Sequence, residues 1–450
     1  MNAVEQAPPA DIGQRGDVLK RLRLSVRDRI AFSPAASLGM GIKGLLKAQF
    51  GRGAQRVDAL CGAVRRLPQG SLLRVASRHL RECIDHDADH VIAAHHAAQM
   101  RRELSPALTR TTVLKAPGPD GERGVIYCQF EYNWGRLMEG VGPLAPLLRD
   151  YDVIWGASWS PLEYLALARV LATSDGPVYV HPANLGEIAR IEALHPRVRV
   201  IPQLAGEFQD PEAASSLPAE QRDIDLLVVS NWAPFKRHWD LFNALRDMPA
   251  DLRIVLVGQP ESGYGMDDIR ELMRLYRVPQ QIELRQSIPL DEVHRLQSRS
   301  KASAVFSRRE GQCIAAVEAL FAGASLGLRR DAMIGSAAYI NEQTGLLLDP
   351  AHMARDLMRL IQGASSRDPR RWAVEHLGRD QATARLNAWL RKQAEERGLP
   401  WTRDIERHWW CPYPWVGDAA SRERLAPAAA DLHARHPDTF RADLLDSSRL

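Results

Sequence analysis

The sequence predicts an α/β protein of two Rossmann-like domains facing a cleft, with a helical extension before them and a helical, aromatic tail after them. Three observations predict it. From Thr111 onward, short β-branched runs alternate with helical stretches, as βαβ units and a parallel sheet require. Residues 205–222 are polar with no apolar period, and they divide that alternation into two series. The 450 residues also exceed what one hydrophobic core usually serves.

Residues 1–105 make up the extension, where Val18, Leu19, Leu22, Val26 and Ile30 recur at helical spacing with Lys20, Arg21, Arg23, Arg27 and Arg29 between them. From Arg15 to Arg66 twelve Lys and Arg stand against three Asp, a local +9 in a chain of net charge +4. Two readings stay open for residues 15–66. Either they dock on an anionic membrane surface, each basic residue adding on the order of 1 kcal/mol, or the apolar stripe packs on the next domain. Gly39 to Gly44 spells G-x-G-x-x-G, but no strand precedes it and no acidic residue follows about 20 positions on, so it reads as a loop before a helix. His79, Cys83, His86 and His90 share one helix face. A tetrahedral metal shell needs ligands from other directions, so a partly packed face is expected there, and no metal.

The first Rossmann-like domain, 106–204, takes its strands from 125–130, 152–155, 178–180 and 198–201. The second, 223–350, takes them from 224–229, 252–257, 282–284 and 304–306, with a helix from 313 to 321. In the tail, 351–450, the aromatic run Trp401, Trp409, Trp410, Tyr413 and Trp415 is expected to staple the chain back onto the first domain. No stretch approaches the roughly 18 apolar residues of a membrane span, and Met1 to Asp11 lacks a secretory pattern. Five cysteines without paired spacing suit reduced thiols. The expected location is the cytoplasm, peripheral on the inner membrane face if the extension docks there. A local basic excess without a reader motif argues against nucleic acid.

The chemistry concentrates at Glu310 and Glu318, eight residues apart. Glu310 lies at a strand-helix junction, and Gly311, opening the helix, lets the backbone approach a ligand. The N–H groups of Gln312, Cys313 and Ile314 then point at an anion. Glu318, two turns on, can accept from a vicinal diol such as ribose hydroxyls. An ordinary helix with a dipole-complementing Glu310 and a solvated Glu318 has the same spacing. A second segment adds context: Val228 to His238 is a strand, a loop with Asn231, Lys236 and Arg237, and then an apolar helix.

Together with Ala322-Gly323, these segments resemble the retaining GT-B glycosyltransferases of the E-x7-E signature, the group 1 or glycogen-synthase-like enzymes. The resemblance covers residues 120–350 and is sharpest over 224–350. Lys236 matches the Lys of the family's Lys-Gly; Asn231 stands where the family has Arg, Arg237 replaces the Gly, and Gln312-Cys313 depart from Glu-Gly-Phe-Gly. The resemblance implies a nucleotide-sugar donor with Lys236 on its diphosphate, and Asn231, Arg237, Arg308 or Arg309 near the remaining charge. It implies backbone from Gly311 through Gln312 and Cys313 to Ile314 beside sugar and phosphate, Glu318 on ribose, and Glu310 stabilising the positive charge that develops on the transferred sugar. His181 stands where family members carry a histidine that reaches that sugar; its other reading is a strand-end residue. Glu131, Asn133, Trp134 and Arg136 are expected on the acceptor side.

The implied reaction moves a hexose-type sugar with retention to a saccharide or lipid-linked acceptor in cell-surface polysaccharide or glycoconjugate assembly. No metal or other cofactor is implied, because Lys236 and a helix terminus supply the positive potential. Two other functions fit the same chain: a nucleotide-sugar 2-epimerase, which needs no acceptor, and a catalytically silent binding or scaffold protein, to which Asn231 and Gln312-Cys313 point.

Overall fold

In the computed structural model, residues 12–100, 111–157, 162–410, 414–442 and 445 are described. The first sheet contains β1 (Thr111–Lys115), β2 (Gly124–Gln129), β3 (Tyr151–Gly156), β4 (Val178–His181) and β5 (Val198–Val200), side by side in that order. Only β1 runs antiparallel. β1 to β4 are buried on both faces, as a sheet covered by crossover helices demands, while β5, at the edge, exposes Arg199.

The second sheet contains β6 (Ile224–Val229), β7 (Ile254–Gly258), β8 (Ile282–Gln286), β9 (Ser300–Val305), β10 (Ser325–Arg329) and β11 (Gly345–Leu348). All are parallel, in the order β11-β10-β9-β6-β7-β8. The order reverses between β6 and β9, and the crevice beyond the carboxyl ends at such a switch point is where open α/β sheets hold ligands. β9 begins four residues earlier than the expected 304–306 and ends at Val305. β10 and β11 fall outside the expected strands; their glycines, Gly327 and Gly345, lower the strand signal yet sit where neighbouring side chain or backbone leaves no room for a Cβ.

Helices α1 (Ile12–Ala31), α2 (Pro34–Phe50), α3 (Gly53–Arg66), α4 (Ser71–His86) and α5 (Ala88–Met100) form the extension. It does not act as one body. Residues of α2 to α5, including Val57, Leu60, Leu80 and Val91, share a core with Trp134, Val153 and Leu167 of the first domain. The α1 helix packs instead on the second domain, through Leu24 and the pairs Asp17–Arg274 (3.7 Å) and Lys20–Glu271 (3.9 Å). Its apolar stripe does not make that contact: Val18, Leu22 and Ile30 are 53%, 55% and 62% exposed. Gly41 and Gly44 lie within α2 rather than in a loop, packed against Leu67 and Ala63, so the glycines admit a neighbouring helix. Cys83 is core, while His79 and His90 pair with Glu82 and Asp87 on the surface.

Two expected boundaries shift. The helix Met353–Gln362 packs Leu357 and Leu360 into the second domain's core, so that domain runs past residue 350. The segment 205–222 is not polar throughout, because Phe208 is buried against Tyr127 and Leu386. The tail then crosses back, with helix Arg379–Glu396 covering the first sheet through Ala382, Leu386 and Leu390. Trp401 lies under the Lys115 ammonium, 3.4 Å from its ring centre. Tyr413 and the side chains of Trp409 and Trp410 lie outside the described residues.

A buried ion pair secures this return. Lys115 Nζ lies 2.6 Å from Glu122 Oε1, and Glu122 also accepts from the Thr402 and Arg403 amides at 2.7 and 3.2 Å. Burial works against the carboxylate, but these partners outweigh it and hold Glu122 down to about 2. Replacing Glu122 by Ala strands a buried ammonium and unties the tail. The expected cost is about 3–5 kcal/mol, read as a lower urea midpoint, and an unchanged midpoint contradicts the assignment.

Candidate active site

Two loops meet at the switch point, residues 230–238 after β6 and residues 306–313 after β9. In the first, Pro234–Lys236 is a single 3-10 turn, and Arg237 then takes a left-handed conformation (φ 59°) before the helix His238–Leu245. A glycine fits such a position without strain, so Arg237 holds it at a cost that its side-chain contacts offset. The second loop is pinned to its neighbour, since Glu310 N donates to Met333 O (3.0 Å) and Met333 N to Arg308 O (2.8 Å).

These loops bring Lys236 and Glu310 together. Lys236 Nζ donates to Glu310 Oε1 at 2.9 Å, and Ser307 Oγ donates to the same oxygen. Burial pulls the ammonium down, but the Glu310 carboxylate outweighs it and Lys236 stays above the usual lysine range, hence charged. Desolvation, and then Glu310 beside it, push the Cys313 thiol up, so it is neutral.

Gly311 does not open a helix. The helix is Ile314–Phe321, and Cys313 caps it in a left-handed conformation (φ 49°). The expected donors nevertheless converge there: among the described residues, the N–H groups of Gln312, Cys313 and Ile314 have no acceptor. The Gln312 side chain is used elsewhere. Its Nε2 donates to Pro182 O and Ala183 O, both at 3.0 Å, and its Oε1 accepts from Gly206 N at 3.2 Å, so it clasps the first domain and the linker to the second. Gly335 N closes the same contact on Gly311 O at 2.7 Å.

Glu318 stands apart from Glu310, 3.6 Å from His294 Nε2. Burial lowers that imidazole, but Glu318 more than compensates and raises it. Asn231 Nδ2 donates to Glu261 Oε2 at 2.9 Å. Arg237 and Arg308 are not open to a phosphate: both pair with Asp28 of α1, Arg308 at 3.2 Å, and Arg237 also meets Asp240 and the Trp239 ring. Arg309 points elsewhere, with Phe32 5.5 Å beneath it.

On the first domain, Trp134 is core, edge-on to Trp155 and donating to Cys128 O at 3.1 Å, so it presents no surface to an acceptor. Asn133 is fully buried, donating to Gln129 O at 2.8 Å, and Glu131 is 2% exposed. Arg136 is half-buried over the Tyr132 ring. His181 ends β4, but its ring is turned into the domain, 2.6 Å from the Tyr127 hydroxyl and edge-on to Phe208. Burial, then the nearby His408, push it down to about 3.

Ser307, His294, Glu261 and Asp28 went unrecognised in the sequence. Only Asp28 left a trace there, as one of three acids in a basic run.

His181, His238 and His408 share a property with a measurable consequence. Burial depresses them to about 3, 4 and 4, so each is neutral when folded and protonates near 6.5 when unfolded. Their contribution is complete above pH 6.5 and is lost as pH falls toward 4, at about 1.4 kcal/mol per pH unit for each. Denaturant midpoints measured from pH 7 to 4.5 should fall steeply. A flat profile rules out three buried neutral imidazoles.

Residues 209–373, the segment that holds Lys236, Glu310 and Glu318, match the family model of glycosyl transferases group 1. Among curated proteins none matches. Similar solved structures include HepE of Anabaena in complex with UDP, 15% identical with a TM-score of 0.47 over 60% of this chain and 78% of that one. Another is the sucrose-phosphate synthase of Thermosynechococcus elongatus, 14% identical with a TM-score of 0.47 over 74% of this chain and 83% of that one.

Proposed function

From a GT-B chain whose second domain belongs to the group 1 glycosyl transferases, we propose that the protein moves a hexose-type sugar from a nucleotide-sugar donor to a saccharide or lipid-linked acceptor with retention. The observation that carries this reading is the 2.9 Å contact of Lys236 with Glu310 at the switch point. A cation suited to a leaving diphosphate lies beside a carboxylate suited to the positive charge that develops as the glycosidic bond loosens. In this reading Lys236 turns from Glu310 to the diphosphate when donor binds, and the amides of Gln312, Cys313 and Ile314 add donors at the helix terminus. Glu318, held by His294, takes the ribose hydroxyls. The bond from C1 to the diphosphate oxygen breaks, the acceptor oxygen bonds C1 on the same face, and its proton passes to the departing diphosphate. No metal takes part, and His181 acts by supporting the strand end rather than by touching sugar.

Glu310→Gln and Lys236→Met should each lower transfer by about 10²–10³-fold while circular dichroism and melting show the fold intact. The assay is release of nucleoside diphosphate from a panel of nucleotide sugars. Undiminished turnover in either variant refutes the site.

The membrane reading of residues 15–66 gains from the exposed stripe of α1 and from Leu46 and Phe50 of α2, 57% and 84% exposed. Apolar side chains flanked by arginines suit the boundary of an anionic bilayer. Among the described residues no helix is long and apolar enough to cross a membrane. Full-length protein should co-sediment with phosphatidylglycerol vesicles, and Leu22→Glu with Ile30→Glu should abolish it. Equal pelleting removes this reading.

A further inference from the structure

Asp28, near the end of α1, closes a ring of six charges. Its carboxylate bridges two guanidiniums, meeting Arg237 through Oδ1 and Arg308 through Oδ2, the latter at 3.2 Å. From Arg237 the ring passes to Asp240 at 3.4 Å, then to Arg329, on to Asp331 at 3.0 Å, and back to Arg308 at 3.1 Å. Only Asp28 comes from the extension; the other five belong to the second domain. With it, three arginines balance three aspartates. Without it, three face two, and the domain's share of the ring is left at +1. Arg237 and Arg329 are each 4% exposed, so that surplus is shielded from water.

The two arginines that Asp28 joins lie on the two loops of the candidate active site. Arg237 follows Lys236, and Arg308 stands two residues before Glu310. Together they offer more than Asp28 uses. Each guanidinium carries five N–H donors, and the Nε atoms of both Arg237 and Arg308 are buried with no acceptor among the described residues. A pair of guanidinium forks joined through one small anion is an arrangement that also suits a phosphate group, which brings more acceptor oxygens than a carboxylate. Asp28 is thus an anion that the chain itself supplies to this pair.

The remaining hold of α1 on the second domain is slight. Asp17–Arg274 and Lys20–Glu271, at 3.7 and 3.9 Å, involve exposed Arg274, Lys20 and Glu271, and such surface pairs contribute little. Arg21 lies 5.9 Å from the Tyr276 ring, and Leu24 is only partly buried. At the other end the contacts are closer: Phe32, in the elbow after α1, lies 4.5 Å beneath the Arg308 guanidinium. The helix is therefore fastened chiefly at its end, over the two arginines.

We propose that α1 is an autoinhibitory latch: Asp28 keeps a phosphate subsite made by Arg237 and Arg308 closed, and the donor diphosphate opens it by taking the place of Asp28 and releasing α1. This rests on the glycosyl-transfer reading above and adds a regulation of the donor site. A carboxylate of the chain and a phosphate of the ligand cannot use the same guanidiniums at once. The affinity for donor is therefore reduced by the fraction of molecules in which the latch is shut.

The test titrates full-length protein with UDP by calorimetry, and in a second arm with inorganic pyrophosphate. Asp28→Asn should bind the probe about tenfold tighter than wild type. Asp17→Asn, which takes an acid from the same helix at its surface pair with Arg274, should bind as wild type does. Melting curves establish that each variant is folded. A gain of affinity is not what the loss of a merely structural aspartate gives. Wild type supplies an arm that needs no variant: a saturating probe should speed amide hydrogen exchange in α1 and leave α2 protected, because helices draw most of their stability from packing that a released α1 lacks. Unchanged or weaker binding in folded Asp28→Asn, an equal gain in Asp17→Asn, α1 exchange that neither bound probe alters, or no binding of either probe overturns the proposal. If UDP binds with no dependence on Asp28, the donor reading stands and only the latch falls. If pyrophosphate binds with the Asp28 dependence while UDP binds no tighter and no nucleotide sugar is turned over, the latch stands and the glycosyl-transfer reading falls.

Discussion

The arrangement depends on one carboxamide. Gln312 spends its side chain on three backbone groups, two just after β4 and one in the linker. Those groups are buried, so without Gln312 each would bear the cost of an unmade hydrogen bond, about 1–3 kcal/mol. Because Gln312 sits two residues from Glu310, the same bonds that join the domains also fix where the Glu310 carboxylate lies and which way the amides of Gln312 to Ile314 face. Gly335 belongs to this contact: a side chain there would strike the Ala183 carbonyl.

The fold was legible where local and global signals agree. The strands β6 and β7, six and five residues of nearly unbroken aliphatic sequence, and the helices between them read directly from periodicity. β10 was not legible, because Ser325 and Gly327 argue against a strand locally while burial between β9 and β11 imposes one. The site divides in the same way. Lys236 and Glu310 could be found because motif spacing locates loops at strand ends. The partners of Glu318, Asn231 and Arg237 could not, because His294, Glu261 and Asp28 are distant in sequence and meet them only through tertiary packing. Trp134 illustrates the converse error: it follows a strand end as an acceptor-side residue would, yet the helix turns it inward.

The charge of the extension also changes meaning once folded. A run of +9 reads as a surface for something anionic, but two of its three acids do much of the positioning. Asp17 and Asp28 face Arg274, Arg237 and Arg308, so the basic helix is held to a basic part of the second domain by its minority charges. That leaves Arg23, Arg27, Arg29 and the apolar stripe exposed, an orientation that composition does not reveal.

The path of the chain has a mechanical consequence. Three segments pass between the two Rossmann-like bodies: the elbow at Phe32-Ser33, the linker, and the return at Gly378. The last two run side by side, Gly378 N bonding Glu207 O at 2.9 Å and Arg379 N bonding Gln209 O at 3.0 Å, so together they behave as one seam. A seam alone lets two bodies swing like the covers of a book. A further strap fastened away from the spine limits how far they open, and the α1 helix, clamped by Asp28 at one end of the elbow, is such a strap. Any opening of the two bodies must therefore either stretch the elbow or lift α1 off its arginines.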